Sequence, residues 1–287
     1  MKLYIIGNGF DIAHGLHTGY DDYREFVRKK SNSINNWSII EDYYPGVNNP
    51  FWSDIENKIC LIDINTFLKH KRVFGFSNLD LLLNAIHNSF ESFIIDVEQT
   101  VSTKKRVFEL DENAYFLTFN YTTTLETIYN AKKVIHIHNE IQDAVLKNFF
   151  KLDANDCVIG HSPIYEDFSY YSDPLIGSDK DYIQFREKTT KDCKKNMKKN
   201  GLLESFLMLQ NVINEVVFYG FSFSESDRYY MQYLFATLQS PKIKVYYYVK
   251  EDESEEVIKK KIKSKVAYSN GPINSIEFIN CKGITKI

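Results

Sequence analysis

The chain is poor in the residues that break structure and in those that staple it. Its 287 residues include only 6 Pro and 12 Gly, which excludes turn-rich and collagen-like architectures. The four cysteines stand at 60, 157, 193 and 281. No two are close enough for a zinc ribbon or a redox C-x-x-C pair, so free thiols in a reducing compartment are expected. No apolar run approaches the roughly 20 residues that cross a bilayer. Charge of one sign is also missing. The 35 Lys and Arg against 38 Asp and Glu leave a formal net charge of −3, which gives no global pull toward nucleic acid or membrane. Residues 1–10 show neither the basic start nor the cleavage site of a secretory signal. The expected location is the cytoplasm, with no membrane partner.

Apolar and aromatic residues are plentiful. Hydrophobic residues make up 44% of the chain, with 20 Tyr and 21 Phe, so the packing relies on rings. This suffices for one large domain, or for one domain with a big insertion. Leu3–Ile6 reads as a buried strand running directly into Gly7-Asn8-Gly9-Phe10-Asp11. A glycine turn at the carboxyl end of a parallel strand lets backbone N–H groups approach a phosphate, and a following helix start adds positive potential. The same spacing suits a plain turn, and Ile12 occupies the place of the third glycine in the dinucleotide fingerprint.

Tyr20–Lys30 has helical spacing, residues 31–50 read as a polar, Asn-rich loop, and Phe51–Glu56 opens another helix. Leu79 to about Val101 is the longest helical pattern. After residue 113 the rhythm changes. Strands are predicted at Tyr115–Phe119, Val134–Ile137, Val216–Tyr219, Lys242–Val249 and Ser275–Ile279, and Cys157–Ile159 is a further short apolar run. Helices are predicted at Thr122–Asn130, Asp181–Gln210 with a break near Asn200-Gly201, Ser224–Leu238 and Glu253–Lys263, with a loop over 163–180. Alternating strands and helices predict an α/β, Rossmann-like parallel sheet with helices on both faces. The nearly all-helical stretch after the first strand predicts an insertion. The nucleotide-binding domain would span 1–19 and 111–287, and the helical subdomain 20–110, packed over the carboxyl edge of the sheet.

Four polar clusters stand where predicted strands end: Asn8, Asp11 and His14; Thr118-Phe119-Asn120-Tyr121-Thr122; His136-Ile137-His138-Asn139; and Gly220 through Asp227. In an open parallel sheet those ends line one crevice. Each cluster also has a purely structural reading. Asn120 can cap the helix that follows it, and Asp227 suits the first turn of its helix. His136 and His138 share a strand face and suit a metal pair, but no third ligand lies nearby in sequence; His136 is expected to be the structural one. His161-Ser162 lacks the G-x-S-x-G elbow of a serine hydrolase. Asp54 and Glu56 lie two apart, off a common helix face, and read as cap or solvent residues. Arg186–Lys199 holds seven basic and two acidic residues, which reads as a solvated face or a nucleic-acid or partner contact.

The run Ile5-Ile6-Gly7-Asn8-Gly9-Phe10-Asp11-Ile12-Ala13-His14-Gly15-Leu16 closely resembles the opening of the AbiH family, named for bacteriophage abortive infection. Phe51–Glu56, Thr118–Thr122 and Tyr219–Asp227 are similar to that family too. A more distant likeness is to sirtuin-like NAD-consuming domains. Thr118-Phe119-Asn120 resembles their T-x-N turn, His138 falls where their catalytic histidine would stand, and Gly220-Phe221-Ser222 resembles their ribose loop. Asn139 and Thr122 depart from that pattern, and the zinc module is missing.

The resemblance implies a phage-defence protein that binds NAD or a related nucleotide and hydrolyses the nicotinamide–ribose bond. Asn120, His138 and Asp11 would be catalytic. Gly7, Asn8, Gly9, Phe10, Thr118, Gly220, Ser222 and Asp227 would bind the nucleotide. No metal and no further cofactor would be required. A non-catalytic nucleotide sensor and a nucleic-acid-cleaving toxin stand as alternatives, and a homo-oligomer is left open.

Overall fold

The computed structural model describes residues 1–30, 34–46, 48–59, 61–74, 79–138, 179–190, 193–199, 201–239, 241–247, 254–267 and 275–281. Its strands are β1 (Lys2–Ile6), β2 (Tyr115–Thr118), β3 (Val134–His136), β4 (Glu215–Tyr219), β5 (Lys242–Tyr247) and β6 (Ser275–Asn280). The helices are α1 (Asn8–Ala13), α2 (Tyr20–Lys30), α3 (Ile34–Tyr43), α4 (Ile55–Lys58), α5 (Ile64–Phe74), α6 (Leu79–Val101), α7 (Thr124–Tyr129), α8 (Lys180–Thr189), α9 (Cys193–Lys199), α10 (Leu202–Leu209), α11 (Arg228–Thr237) and α12 (Glu255–Ala267). The strands form one sheet in the order β3-β2-β1-β4-β5-β6, and all neighbours are parallel. This is the Rossmann-like α/β arrangement. Strand order reverses between β1 and β4, where sheets of this kind form a ligand crevice outside the carboxyl ends.

Both sheet faces are covered, which is why the strands read as apolar runs with little alternation. Leu3, Ile5, Leu117, Val216, Phe218, Ile243 and Val245 share a core with Met197, Leu202, Phe206, Leu234 and Ile262 of α9 to α12. Tyr4, Ile6, Phe116, Val217 and Tyr219 pack with Phe10 of α1 and with Leu125 and Tyr129 of α7. Rings tie that second face together. Tyr4 stacks on Phe116 at 5.2 Å and Tyr219 on Tyr246 at 4.1 Å between centroids.

Helices α2 to α6 enclose a separate aromatic core that includes Tyr23, Tyr43, Trp52, Phe67, Phe90 and Phe93. Tyr182 and Phe185 of α8 join it, and Lys71 pairs with Asp179 at 2.5 Å and with Asp181 at 3.1 Å. Part of the sequence after residue 111 thus packs into the helical unit. The loop expected over 31–50 is corrected: Ile34–Tyr43 is helical. Its asparagines mask Trp37, Ile40 and Tyr44, which recur at helical spacing, and Trp37 stacks on Trp52 at 5.7 Å. The long helix expected over 181–210 is three helices, the last starting after Gly201 at φ 62°. Cys60, Asn139, Cys157–Ile159, His161, Ser162 and residues 163–178 lie outside the described residues.

The exits of β1 and β4 touch backbone to backbone. Gly7 N–H donates to the Tyr219 carbonyl at 3.0 Å, and Gly9 N–H to the Gly220 carbonyl at 2.9 Å. Gly220 has φ +60°, and a Cβ there would stand 2.2 Å from Phe10 N and 2.4 Å from the Gly9 carbonyl carbon. Gly46 also has positive φ, at +81°, but faces open space. Gly46→Ala is expected to cost only the left-handed backbone penalty of about 1–2 kcal/mol. Gly220→Ala adds a backbone clash and is expected to cost about 3 kcal/mol or more, a fall in melting midpoint of roughly 5–10 °C. Thermal unfolding of the two variants side by side checks this; equal shifts would refute the contact.

Candidate functional site

Four strand exits and the helical unit enclose one cleft. After β1 come Gly7, Asn8 and Asp11; after β2, Phe119, Asn120, Tyr121 and Thr122; after β3, His138; after β4, Phe221, Ser222 and Asp227. Thr18, Tyr20, Ile55, Glu56, Phe90 and Ile94 close the cleft from above, and its cavity volume is about 100 Å³. Asn8 and Ser222 are exposed at the rim, whereas Asp11, Asn120, His138 and Asp227 are buried.

Short local bonds hold the walls. The Thr118 hydroxyl accepts the Asn120 N–H at 3.1 Å and turns the chain out of β2. The Thr122 hydroxyl donates to Asp11 Oδ2 at 2.6 Å and lies 2.9 Å from the Thr124 hydroxyl. His138 is 2% exposed, and its Nε2 lies 3.3 Å from Asp227 Oδ1. The rings of Phe119 and Tyr121 flank it at 5.5 and 5.6 Å. The helical unit is bolted to the β4 exit. Asn57 Nδ2 donates to Ser224 Oγ at 2.9 Å, and Ser226 Oγ donates to Glu56 Oε2 at 2.9 Å.

A family model described as Bacteriophage abortive infection AbiH matches residues 3–75 and 69–249. The chain belongs to the AbiH family. That membership carries a role in phage defence by abortive infection. No curated protein and no solved structure matches the chain. Among the described residues no helix is long and apolar enough to cross a membrane.

The AbiH match takes in every segment that lines the cleft. Of the residues expected at the site, Gly7, Asn8, Asp11, Asn120, His138, Ser222 and Asp227 line it. Gly9, Phe10, Thr118 and Gly220 do not. Gly9 and Gly220 are consumed in their mutual contact. Phe10 is buried in the aromatic layer, and Thr118 supports Asn120 from behind. His14 turns away as well: its ring nitrogens meet the Phe10 carbonyl and the Tyr129 hydroxyl, each at 2.7 Å. His136 faces Glu126 at 2.9 Å, so the two histidines after β2 diverge. Among the described residues no group of three or more His, Cys, Asp or Glu side chains is arranged to hold a metal.

Sequence reasoning missed Tyr20, Tyr121 and Glu56. Asp54 does cap α4, accepting from Asn57 N at 3.3 Å, but Glu56 points into the cleft. Two-residue spacing says that the pair diverges; only the tertiary fold says which of them meets the site. The basic segment lies elsewhere. Lys188 pairs with Asp80 at 2.7 Å, while Lys194, Lys195 and Lys198 are exposed beside the buried Cys193 and Met197 of α9. None of these lysines lines the cleft.

Electrostatically the AbiH cleft centres on Asp11. Burial pushes its carboxyl from 3.8 up to about 6, against the charge-favouring pull of Thr122, Thr124 and Asn120, while nearby Glu98 adds to the rise. Burial, and then the Glu56, Asp54 and Asp227 carboxylates, hold the Tyr20 hydroxyl well above the ordinary phenol range. Tyr20 therefore stays a protonated donor.

A raised carboxyl binds its proton more tightly in the folded chain than in the unfolded one. Its contribution to stability is full below pH 3.8 and is lost as the pH rises to about 6. The loss is of order 3 kcal/mol. Asp11→Asn keeps the acceptor for Thr122 and removes the titration. The variant is expected to melt higher than the parent at pH 7.5 and to lose part of the pH dependence between 4 and 6. Melting curves across that range check this; superimposable profiles would refute it.

Proposed function

We propose that this AbiH protein binds NAD or a related nucleotide in the cleft and hydrolyses the nicotinamide–ribose bond, so that nucleotide depletion halts an infected cell. The observation that carries this reading is the convergence of Asn120, His138 and Asp11 in one cleft at the reversal of strand order. The likeness of Thr118-Phe119-Asn120 and Gly220-Phe221-Ser222 to sirtuin-like turns supports it.

The chemistry suits these groups. The pyridinium leaving group is already cationic, departs neutral and needs no general acid. Water attacks the anomeric carbon as the C–N bond breaks, giving nicotinamide, the ADP-ribose product and one proton. His138 accepts that proton, and Asp227 opposite its Nε2 stabilises the imidazolium. Asn120 orients ribose or water through an amide that both donates and accepts.

A general base of this kind contributes about 10²–10⁴-fold. His138→Ala is expected to lose activity on that scale, with Asn120→Ala comparable. Asp227→Asn is expected to lose less and to shift the pH profile of kcat. The assay is release of free nicotinamide from NAD by the purified protein. Release that is absent from the parent, or unchanged in both the His138 and Asn120 variants, would refute hydrolysis.

One observation favours a sensor that binds without turnover. Thr122 spends its hydroxyl on Asp11, at a position where an acid would be expected from the sirtuin-like pattern. Calorimetry with NAD, ADP-ribose and ATP separates the readings, because binding without product selects the sensor.

A further inference from the structure

The described walls of the cleft carry the charge of a site for cations. Among the described residues Asp11, Glu56 and Asp227 line it, and no Lys or Arg does. The one basic group among those residues, His138, already faces Asp227. An anion beside such carboxylates is repelled, and a partly buried wall screens that repulsion far less than bulk water does.

The hydrogen-bonding groups of the glycine turn point the same way. The Gly7, Gly9 and Phe10 N–H groups are bonded to the carbonyls of Tyr219, Gly220 and Gly7. The side-chain amide of Asn8 donates to the Thr18 carbonyl at 2.9 Å. The donors that would cradle a phosphate are thus largely spent. The buried wall instead offers mainly unused acceptors: Asp11 Oδ1 and Asn120 Oδ1 have no hydrogen-bond partner among the described residues, and neither does the Thr18 hydroxyl, which can donate or accept. Asp11 is 1% and Asn120 5% exposed. A buried acceptor left unpaired forfeits its hydration without return, and it is satisfied by O–H or N–H. Sugar hydroxyls and a carboxamide supply those; an ionised phosphate supplies acceptors only.

We infer that the interior of the cleft takes the positively charged nucleoside half of a nicotinamide nucleotide, the pyridinium with its ribose, and that the phosphates stay outside its mouth. This rests on the nucleotide reading of the same cleft. The phosphate-free nucleoside is then a sufficient ligand, and the oxidised, cationic form is preferred over the reduced, neutral one. Glu56 supplies the preference. It comes from the helical unit, and its carboxylate is held by Ser226 at 2.9 Å and Tyr121 at 3.4 Å.

The test is calorimetry of the full chain with nicotinamide riboside, NAD⁺, NADH and ADP-ribose. The riboside is expected to bind within roughly threefold of NAD⁺, and NADH and ADP-ribose at least about tenfold more weakly. Glu56→Gln, which keeps the shape and removes the charge, is expected to narrow the gap between NAD⁺ and NADH to under about threefold. The ligand series uses the unmodified protein, so its outcome does not depend on the variant folding. ADP-ribose binding as tightly as NAD⁺, with the riboside silent, would overturn the inference and leave the nucleotide reading standing. Silence from all four ligands would overturn both. Riboside binding with no nicotinamide released from NAD⁺ would uphold the inference and remove hydrolysis alone.

Discussion

The contact on which the site depends is the meeting of two bare backbone turns. Gly9 N–H reaches the Gly220 carbonyl at 2.9 Å, and neither residue has a side chain to hold the turns apart. The exits of β1 and β4 therefore abut where strand order reverses, and the crevice opens beside them between Gly7 and Phe221. The same bonds that close the two turns use the Gly7 and Gly9 amides, which a dinucleotide loop would offer to phosphate. Position of the cleft and chemistry of its rim are thus set together, and they conflict with a conventional phosphate cradle.

The second determinant is the seam between two cores. The sheet and its flanking helices pack around strand side chains, while α2 to α6 pack around their own aromatic cluster. Polar side chains cross the seam. Asn57 meets Ser224, Ser226 meets Glu56, and the Thr123 N–H donates to Glu98 at 3.0 Å. Polar crossings position side chains at the cleft without filling the space with apolar bulk. Asp11 shows the cost of such a boundary. A carboxylate kept away from water and only partly hydrogen-bonded raises the free energy of the unliganded fold, and active sites store strain of this kind.

Much of this was legible in the sequence. Apolar runs marked each described strand, polar clusters marked the ends of four of them, and the stretch after the first strand read as largely helical, as α2 to α6 are. Leu79–Val101 was readable to its ends because its apolar stripe is unbroken. The failures have physical causes. Helix α3 hid among asparagines, since only the three-to-four-residue spacing of Trp37, Ile40 and Tyr44 betrays it. Helix α8 joined the helical core through Tyr182 and Phe185, contacts that no local pattern encodes. At the site, Asn120, His138 and Asp227 were visible as polar residues at strand ends. Glu56 was not, because its role depends on how a short helix docks over the sheet. Phe10 and Thr118 were visible but stand behind the wall, a distinction between neighbours in the chain that only packing makes.

The order of strands has a consequence for how the chain comes to exist in a cell. β1 is made before its partners, which begin at Tyr115 and Glu215, so it waits unpaired while helices α2 to α6 are made. The aromatic core of α2 to α6 is almost complete by then, awaiting only α8. Long-range parallel pairing is the slow step of such folds, and here it is also the step that assembles the cleft. Asp227 is the last to be translated of the described residues that line it. No nascent or prematurely ended chain that stops short of the β4 exit carries the complete set of groups.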